Sequence, residues 1–405
     1  MYSLYSMLRI AFATILIGLA LIHFSRFTHT THHTPIDFRN VYLGTKIWLN
    51  GNNPYQDIVI KNEWKQICTD ENIINNQPPG LPQNFLVYPP TAFILYAPFS
   101  WLNWKNASMI NSILCLFALL ITIHLWTKII DPTAVSKYWL YLIVFAYKGT
   151  AAALIVGQPT FLILALGTAS IYFNQRFNKS LIGGILLGLT AIKPTLMIPF
   201  FMFFLFHKQW KSLFISMIVS VGLIVMTFTL FTHHAYLIWN GFFENIKLLN
   251  QVVYAGETSY YLHSITDISV WANYLFPAQI NKFILSEQLL LLISFFYIWK
   301  SNNSINSHDV FVLVSFITLL LSYHLFYDLL LLIPLVILSQ SWNMKYKIIA
   351  ALISLPLFFP INGILDRLEP IFQLEIAYLH LPVVLCMLLT LVLFQLKASK
   401  AIGVK

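Results

Sequence analysis

Residues 180–231 read SLIGGILLGLTAIKPTLMIPFFMFFLFHKQWKSLFISMIVSVGLIVMTFTLF, with Lys193, Lys208 and Lys211 as the only charged side chains. A helix packed on the surface of a soluble protein carries an apolar stripe and a charged face. Here every face is apolar, which is the composition of a segment inside a membrane. The run 211–231 is long enough to cross, since a span takes about 20 apolar residues. The two runs before it, Ser180–Ile192 and Thr195–His207, have 13 residues each. At about 1.5 Å per residue each reaches roughly 20 Å, against a hydrocarbon core about 30 Å thick. Their Lys193-Pro194 tip is therefore expected below the membrane surface. A polar tip at that depth is tolerated where it lines protein or a water-filled cavity.

Outward from this stretch, further apolar runs lie near 7–24, 106–127, 138–156, 159–175, 285–299, 309–323, 329–341, 347–361 and 377–396. The 405 residues are 58% hydrophobic and 10% charged. Soluble domains are nearer 45–50% and 25%, so a soluble globular enzyme is excluded, and disorder and coiled coil fall with it. A barrel would alternate apolar and polar residues, and these runs do not. The fold class is an all-α polytopic membrane protein. The net charge of +9 is then a topology signal rather than a sign of nucleic acid. Cys115 and Cys386 lie in apolar runs and Cys68 in a loop, so neither a disulfide nor a zinc framework follows. Arg9 precedes the apolar run Ile10–Ile22, and His23-Phe24-Ser25-Arg26 offers no cleavage site. The N-terminal segment reads as an uncleaved first span.

The segment Phe85–Leu102 is broken by Pro89-Pro90 and Pro98. If it does not span and the N-terminus is inside, the inner side holds Arg9, Lys128, Lys137, Arg176, Lys179, Lys208, Lys211, Lys300, Lys345, Lys347, Lys397, Lys400 and Lys405. That is 13 basic residues, against two acidic ones, Asp131 and Asp309. If it spans, every later loop flips and the asymmetry is lost. The positive-inside rule thus predicts 12 spans, both termini inside, and one membrane domain over 1–405. Two large loops are predicted outside: 25–105, carrying amphipathic and re-entrant helices, and 232–284.

Ionisable groups at membrane depth are candidates for function. Asp37 precedes Phe38–Asn50, whose Val41, Leu43, Ile47, Trp48 and Leu49 predict an amphipathic helix. It reads either as the N-cap of that helix or as a carboxylate held at the surface as a general base. Gly51-Asn52-Asn53-Pro54-Tyr55 ends the helix as a turn. Tyr88-Pro89-Pro90 opens the broken segment, and Gly157-Gln158-Pro159 links two spans. Lys193 tips one short hairpin; His324-Leu325-Phe326-Tyr327-Asp328 tips another, where His324 and Asp328 share a face if the tip is helical. Read singly, these are a turn, a snorkelling lysine and a self-satisfying pair. Together they fall on one side under a topology fixed by charge alone. His29, His32, His33, His233 and His234 have no carboxylate or cysteine spacing to make a metal site and read as solvated loop, as does Asp70-Glu71. No metal or other cofactor is expected.

Asp37-Phe38 followed by Gly51-Asn52-Asn53-Pro54-Tyr55 resembles the first outer loop of glycosyltransferase family 87. Tyr88-Pro89-Pro90 with Ala97-Pro98, Gly157-Gln158, Lys193-Pro194 and Ser322…His324…Tyr327-Asp328 resemble that family's landmarks in the same order. The sequence departs from them at Pro159-Thr160, where the family often has Asn, and at Tyr323, where it often has Pro. Residues 60–84 read as an insertion. The resemblance implies a GT-C glycosyltransferase fold in the bacterial cytoplasmic (inner) membrane, with the active site on the outer face. It implies inverting transfer of mannose, or another hexose, from a polyprenyl-phosphate donor to a glycan or glycolipid acceptor, with Asp37 as catalytic base. Lys193, His324 and Arg39 are candidates, on chemical grounds, to meet the leaving phosphate; Asp328, Gln158 and Tyr88 complete the expected donor site. The competing reading is a transporter or lipid flippase, which would explain an outward-facing polar chamber. It predicts an inverted internal repeat, and the sequence has none. A non-catalytic scaffold would need neither Asp37 nor His324.

Overall fold

The computed structural model describes residues 4–29, 35–73, 86–130, 137–229, 235–254, 265–268, 280–301, 306–359 and 376–401. Among the described residues, each of the apolar runs above is largely helical. The N-terminal run forms α1 (Leu4–His29). α5 (Trp104–Ile130) and α11 (Trp210–Thr229) are each long and apolar enough to cross a membrane. The run 138–156 is not one straight helix as its hydropathy suggests. It is α6 (Lys137–Ala146) and α7 (Lys148–Val156), bent by 62° about Tyr147. Tyr147 takes an extended conformation there. The Thr150 hydroxyl donates to the Val144 carbonyl at 2.6 Å, satisfying a backbone group that the bend releases.

α8 (Thr160–Phe177) runs back alongside α5. The short hairpin follows as α9 (Ser180–Leu189), a 3-10 turn at Thr190–Ile192, and α10 (Pro194–Phe206). Pro194 occupies the first position of α10, where a missing N–H costs no helical bond. α9 meets α11 at close range: a Cβ on Gly184 would stand 2.7 Å from the Ser212 carbonyl, and one on Gly188 2.8 Å from that of Ser216. This is the small-xxx-small approach of membrane helices.

Among the described residues, both polar stretches carry helices. The first carries α2 (Ile36–Leu49), α3 (Asp57–Asp70) and the short α4 (Pro90–Tyr96), followed by a 3-10 turn at Ala97–Trp101. The second carries α12 (Ala235–Tyr254). The broken segment thus becomes two short helices, and its 7-residue α4 spans roughly 10 Å. α2 was expected to be amphipathic, but it is buried nearly all round, from Phe38 to Thr45 and at Ile47 and Trp48. Phe38 packs on Trp104 and Phe99 with ring centroids 5.5 and 5.4 Å away. Each such buried side chain contributes about 1.5–3 kcal/mol. Cys68 sits within α3, not in a loop. Glu71 is not simply solvated: its carboxylate accepts from the Trp104 and Lys105 backbone N–H groups at 2.7 and 3.4 Å, holding the start of α5.

After α12 come α13 (Ile280–Ser301) and α14 (Ser307–Leu321), then a 3-10 turn at Phe326–Leu332 that runs into Ile333–Leu338. Met344–Phe358 and Ile376–Ala401 complete the described helices. Trp126 of α5, Phe200 of α10 and Phe311 of α14 are almost fully buried and meet ring to ring, at 4.8 and 5.1 Å. That aromatic core fixes α5, α10 and α14 relative to one another, and part of the polar cluster below is built on the connections at the start of α10 and the end of α14. Of the histidines read as solvated, His32, His33, His233 and His234 lie outside the described residues.

Candidate active site

Pro35 is the N-cap of α2, and its carbonyl takes the first helical bond from Arg39 N at 2.8 Å. Asp37 therefore lies inside the first turn and is not the N-cap; no side-chain capping bond is made. Its carboxylate reaches away from its own helix and accepts a hydrogen bond from the Gln158 side-chain amide.

Gln158 is aimed by the turn between α7 and α8. Gly157 closes α7 at φ +68°, in the left-handed region that favours glycine. A Cβ there would also stand 2.7 Å from Cβ of Phe38, the neighbour of Asp37. The backbone of α2 thus seats directly on this turn. Gln158 Nε2 donates to Tyr327 Oη at 2.7 Å as well as to Asp37. Its Oε1 accepts from the Tyr88 hydroxyl at 3.3 Å. The Tyr88 carbonyl in turn accepts from Tyr55 Oη at 2.6 Å.

Two residues further on, the Thr160 hydroxyl donates to Asp328 Oδ1 at 2.9 Å and accepts from Lys193 Nζ at 3.0 Å. Lys193 Nζ lies 2.8 Å from the same Asp328 oxygen and 5.3 Å from the centre of the Tyr327 ring. His324 Nδ1 stands 3.1 Å from Asp328 Oδ2. The tip holding His324 and Asp328 is not an α-helix. His324 precedes a 3-10 turn, and Asp328 meets it by folding back to accept from Leu325 N at 3.4 Å. From the second polar stretch, Thr266 donates to the His324 carbonyl through its N–H at 3.0 Å and its hydroxyl at 3.3 Å, fixing the backbone beside the imidazole. His324 is fully buried and its Nε2 has no partner among the described residues. Tyr147, at the bend between α6 and α7, donates its hydroxyl to the Phe326 carbonyl.

Asp37, Tyr88 and Gln158 thus form one hydrogen-bonded group and Lys193, His324 and Asp328 a second, and the two meet where the Tyr327 ring lies beside Lys193, although the sequence separates these residues by up to 291 positions. Arg39 acts on Asp37 through its charge. Two residues along α2 from Asp37, its guanidinium sits over the Trp64 ring of α3 at 5.4 Å. Three members were not singled out from sequence: Tyr327, Thr160 and Tyr55. Tyr327 was part of the motif around His324, and Thr160 was noted only as a departure. Tyr327 joins the two halves, with its hydroxyl on Gln158 and its ring beside Lys193. Burial pushes the Asp37 carboxyl up from its ordinary 3.8 to about 6. The Gln158 hydrogen bond and the charges of Lys193 and Arg39 oppose that rise, and the charge of Asp328 adds to it. Among the described residues no three His, Cys, Asp or Glu side chains gather as metal ligands would.

The network can do two things chemically. It holds a carboxylate with a raised proton affinity, and it holds an ammonium group that keeps one N–H beyond those given to Asp328 and Thr160. A family model described as glycosyltransferase family 87 matches residues 85–323, more than half of the chain. The match covers Tyr88, Gln158, Thr160 and Lys193. Asp37 and the His324–Asp328 tip lie outside it and are tied to it by the hydrogen bonds above. No curated protein and no solved structure matches the chain.

Proposed function

This chain belongs to glycosyltransferase family 87, and from that premise we propose that it transfers a hexose, mannose in the first instance, from a polyprenyl-phosphate donor to an acceptor hydroxyl. Asp37 is the base. Its carboxylate takes the proton of the acceptor O–H while that oxygen attacks the anomeric carbon from the face opposite the phosphate. The new C–O bond forms as the bond from the anomeric carbon to the phosphate oxygen breaks, so the configuration inverts. Polyprenyl phosphate leaves with the bonding electron pair and needs no proton, only donors for its charge. Lys193 supplies one through its remaining N–H. His324, with Nδ1 on Asp328, supplies a second through Nε2 when the ring is protonated. Asp328 and Thr160 hold both donors in place.

The reading extends to the surroundings. The helices form a GT-C arrangement of 12 spans in a bacterial inner membrane, with both termini inside and the network at the outer face. The donor's tail lies along the membrane helices, and the acceptor is a glycan or glycolipid reaching the site from outside.

The observation that carries the proposal is the joining of Asp37 to Lys193 through Gln158, Tyr327, Asp328 and Thr160. Such a carboxylate would also suit a proton-coupled transporter; the match to a glycosyltransferase family model over residues 85–323 is what favours sugar transfer. The test is to incubate membranes containing the protein with radiolabelled polyprenyl-phosphate-mannose and to identify the labelled product. Label that stays on the donor, with the protein present and folded, overturns the reading.

A further inference from the structure

We infer that Gln158 is a positioning residue for the base: it holds Asp37 ionised and aimed, and does not bind the sugar donor. This rests on the proposed role of Asp37. The argument is a count of donors and acceptors. An ionised carboxylate only accepts hydrogen bonds, so the Gln158 amide must turn its nitrogen toward Asp37. That nitrogen has two N–H groups, and they go to Asp37 and to Tyr327 Oη. The amide oxygen is held from the other side by the Tyr88 hydroxyl. Every strong hydrogen-bonding direction of the amide but one acceptor lone pair is thus taken within the protein, leaving no N–H for a substrate.

The bond to Asp37 also favours the ionised state. A neutral Asp37 still offers a carbonyl oxygen to the amide, but a hydrogen bond to an ionised acceptor is about twice as strong as one to a neutral acceptor. The fork therefore fits the carboxylate and works against its protonation. Gln158 is itself almost fully buried, at 3% exposure, and its backbone is fixed by the Gly157 turn and by the bond from its N–H to the Ala153 carbonyl at 2.9 Å. The other groups acting on Asp37 are Lys193 and Arg39, which also favour its charge, and Asp328, which opposes it. Tyr88 and Tyr327 contribute neutral hydroxyls. Unlike the charged groups, Gln158 can be replaced with no change in net charge and, by methionine, with little change in volume.

The experiment reads Asp37 directly. A water-soluble carbodiimide with an amine nucleophile modifies protonated carboxyl groups. Labelling of the peptide containing Asp37 is followed by mass spectrometry from pH 4 to 9 in full-length protein. In Gln158→Met the labelling midpoint is expected to rise by about one pH unit, the scale of a lost charge-assisted hydrogen bond. In Gln158→Glu it should rise further, because a second carboxylate then faces the first. Tyr88→Phe leaves the amide in place but frees it to turn; a smaller rise keeps the inference testable if Gln158→Met folds poorly. The acid limb of the transfer rate against pH should move with the labelling midpoint. An unchanged midpoint in Gln158→Met and Tyr88→Phe, with a raised KM for the donor, overturns the inference and returns Gln158 to donor binding. Because labelling needs no turnover, it is separable from the transferase reading, which falls if the unaltered protein labels normally yet transfers nothing.

Discussion

Lys193 and Asp328 stand 2.8 Å apart in a site where Asp328 is almost fully buried, and His324 and Thr160 bond to the same carboxylate. Removing one member of such a pair leaves the other charged and unpaired, which costs roughly 3–5 kcal/mol. Lys193→Ala should therefore lower both the amount of folded protein and donor use. The double change Lys193→Met with Asp328→Asn should recover the folded protein without recovering transfer. Thermal unfolding in detergent and transfer assays on the same preparations measure the two effects. Recovery of transfer in the double variant would remove Lys193 from the phosphate site.

Asp37→Asn separates chemistry from structure. Asp37 makes no capping bond, and Asn keeps an oxygen that accepts from Gln158, so Asn should not lower the protein level much; Ala leaves the buried Gln158 N–H unpaired, at a cost of about 1–3 kcal/mol. A lost general base costs about 10²–10⁴-fold in rate. Asp37→Asn is expected at a normal level in membranes, with transfer from labelled donor reduced by that factor. Near-normal transfer by Asp37→Asn would dismiss Asp37 as the base.

The proton affinity of Asp37 sets a pH dependence. With its carboxyl pushed up to about 6 by burial, the base is ionised above that pH and protonated below it. The rate at low donor concentration should fall about tenfold per pH unit below pH 6 and level off above it. Stability runs the other way. The folded state holds the proton more tightly than the unfolded chain, so the contribution of Asp37 to folding weakens as pH rises from 3.8 toward 6. A pH–rate profile with its break near 4 would contradict the burial argument.

Topology is checked with reporters. Fusions within residues 56–80 and after Thr232 are expected to report the outer side, and fusions after Lys208 and Lys397 the inner side. The expectation rests on the 13 basic and two acidic residues that fall inside when Phe85–Leu102 does not span. A cytoplasmic report from residues 56–80 would reverse the side on which Asp37 faces its acceptor.

The helical, membrane-type character was legible because it is written in long apolar runs, and these need no tertiary information. The bend at Tyr147 was not, because no proline marks it; it depends on the Thr150 hydroxyl and on the contact of Tyr147 with Phe326, 179 positions away. Asp37 stood out as the acidic residue opening a helix, but the cap lies two residues earlier, at Pro35. The Asp37 carboxylate makes no capping bond and goes to Gln158 instead. Thr160 was passed over because it differed from a motif. Its hydroxyl both donates to Asp328 and accepts from Lys193, a dual role that only the folded geometry reveals. Glu71 looked like surface because its partners, the first amides of α5, lie more than 30 positions on.

The pairing of Lys193 with Asp328 spans 135 residues of chain, and a polypeptide is made from its N-terminus. At about 5–20 residues per second, the ribosome adds Asp328 roughly 7–27 s after Lys193. Throughout that interval the hairpin of α9 and α10 exists without the carboxylate that later neutralises its tip. The nascent chain must keep this ammonium hydrated, or sheltered by the insertion machinery, until the His324–Asp328 turn arrives. A chain terminated anywhere before residue 328 is left with the Lys193 ammonium among its apolar helices without the carboxylate that pairs with it.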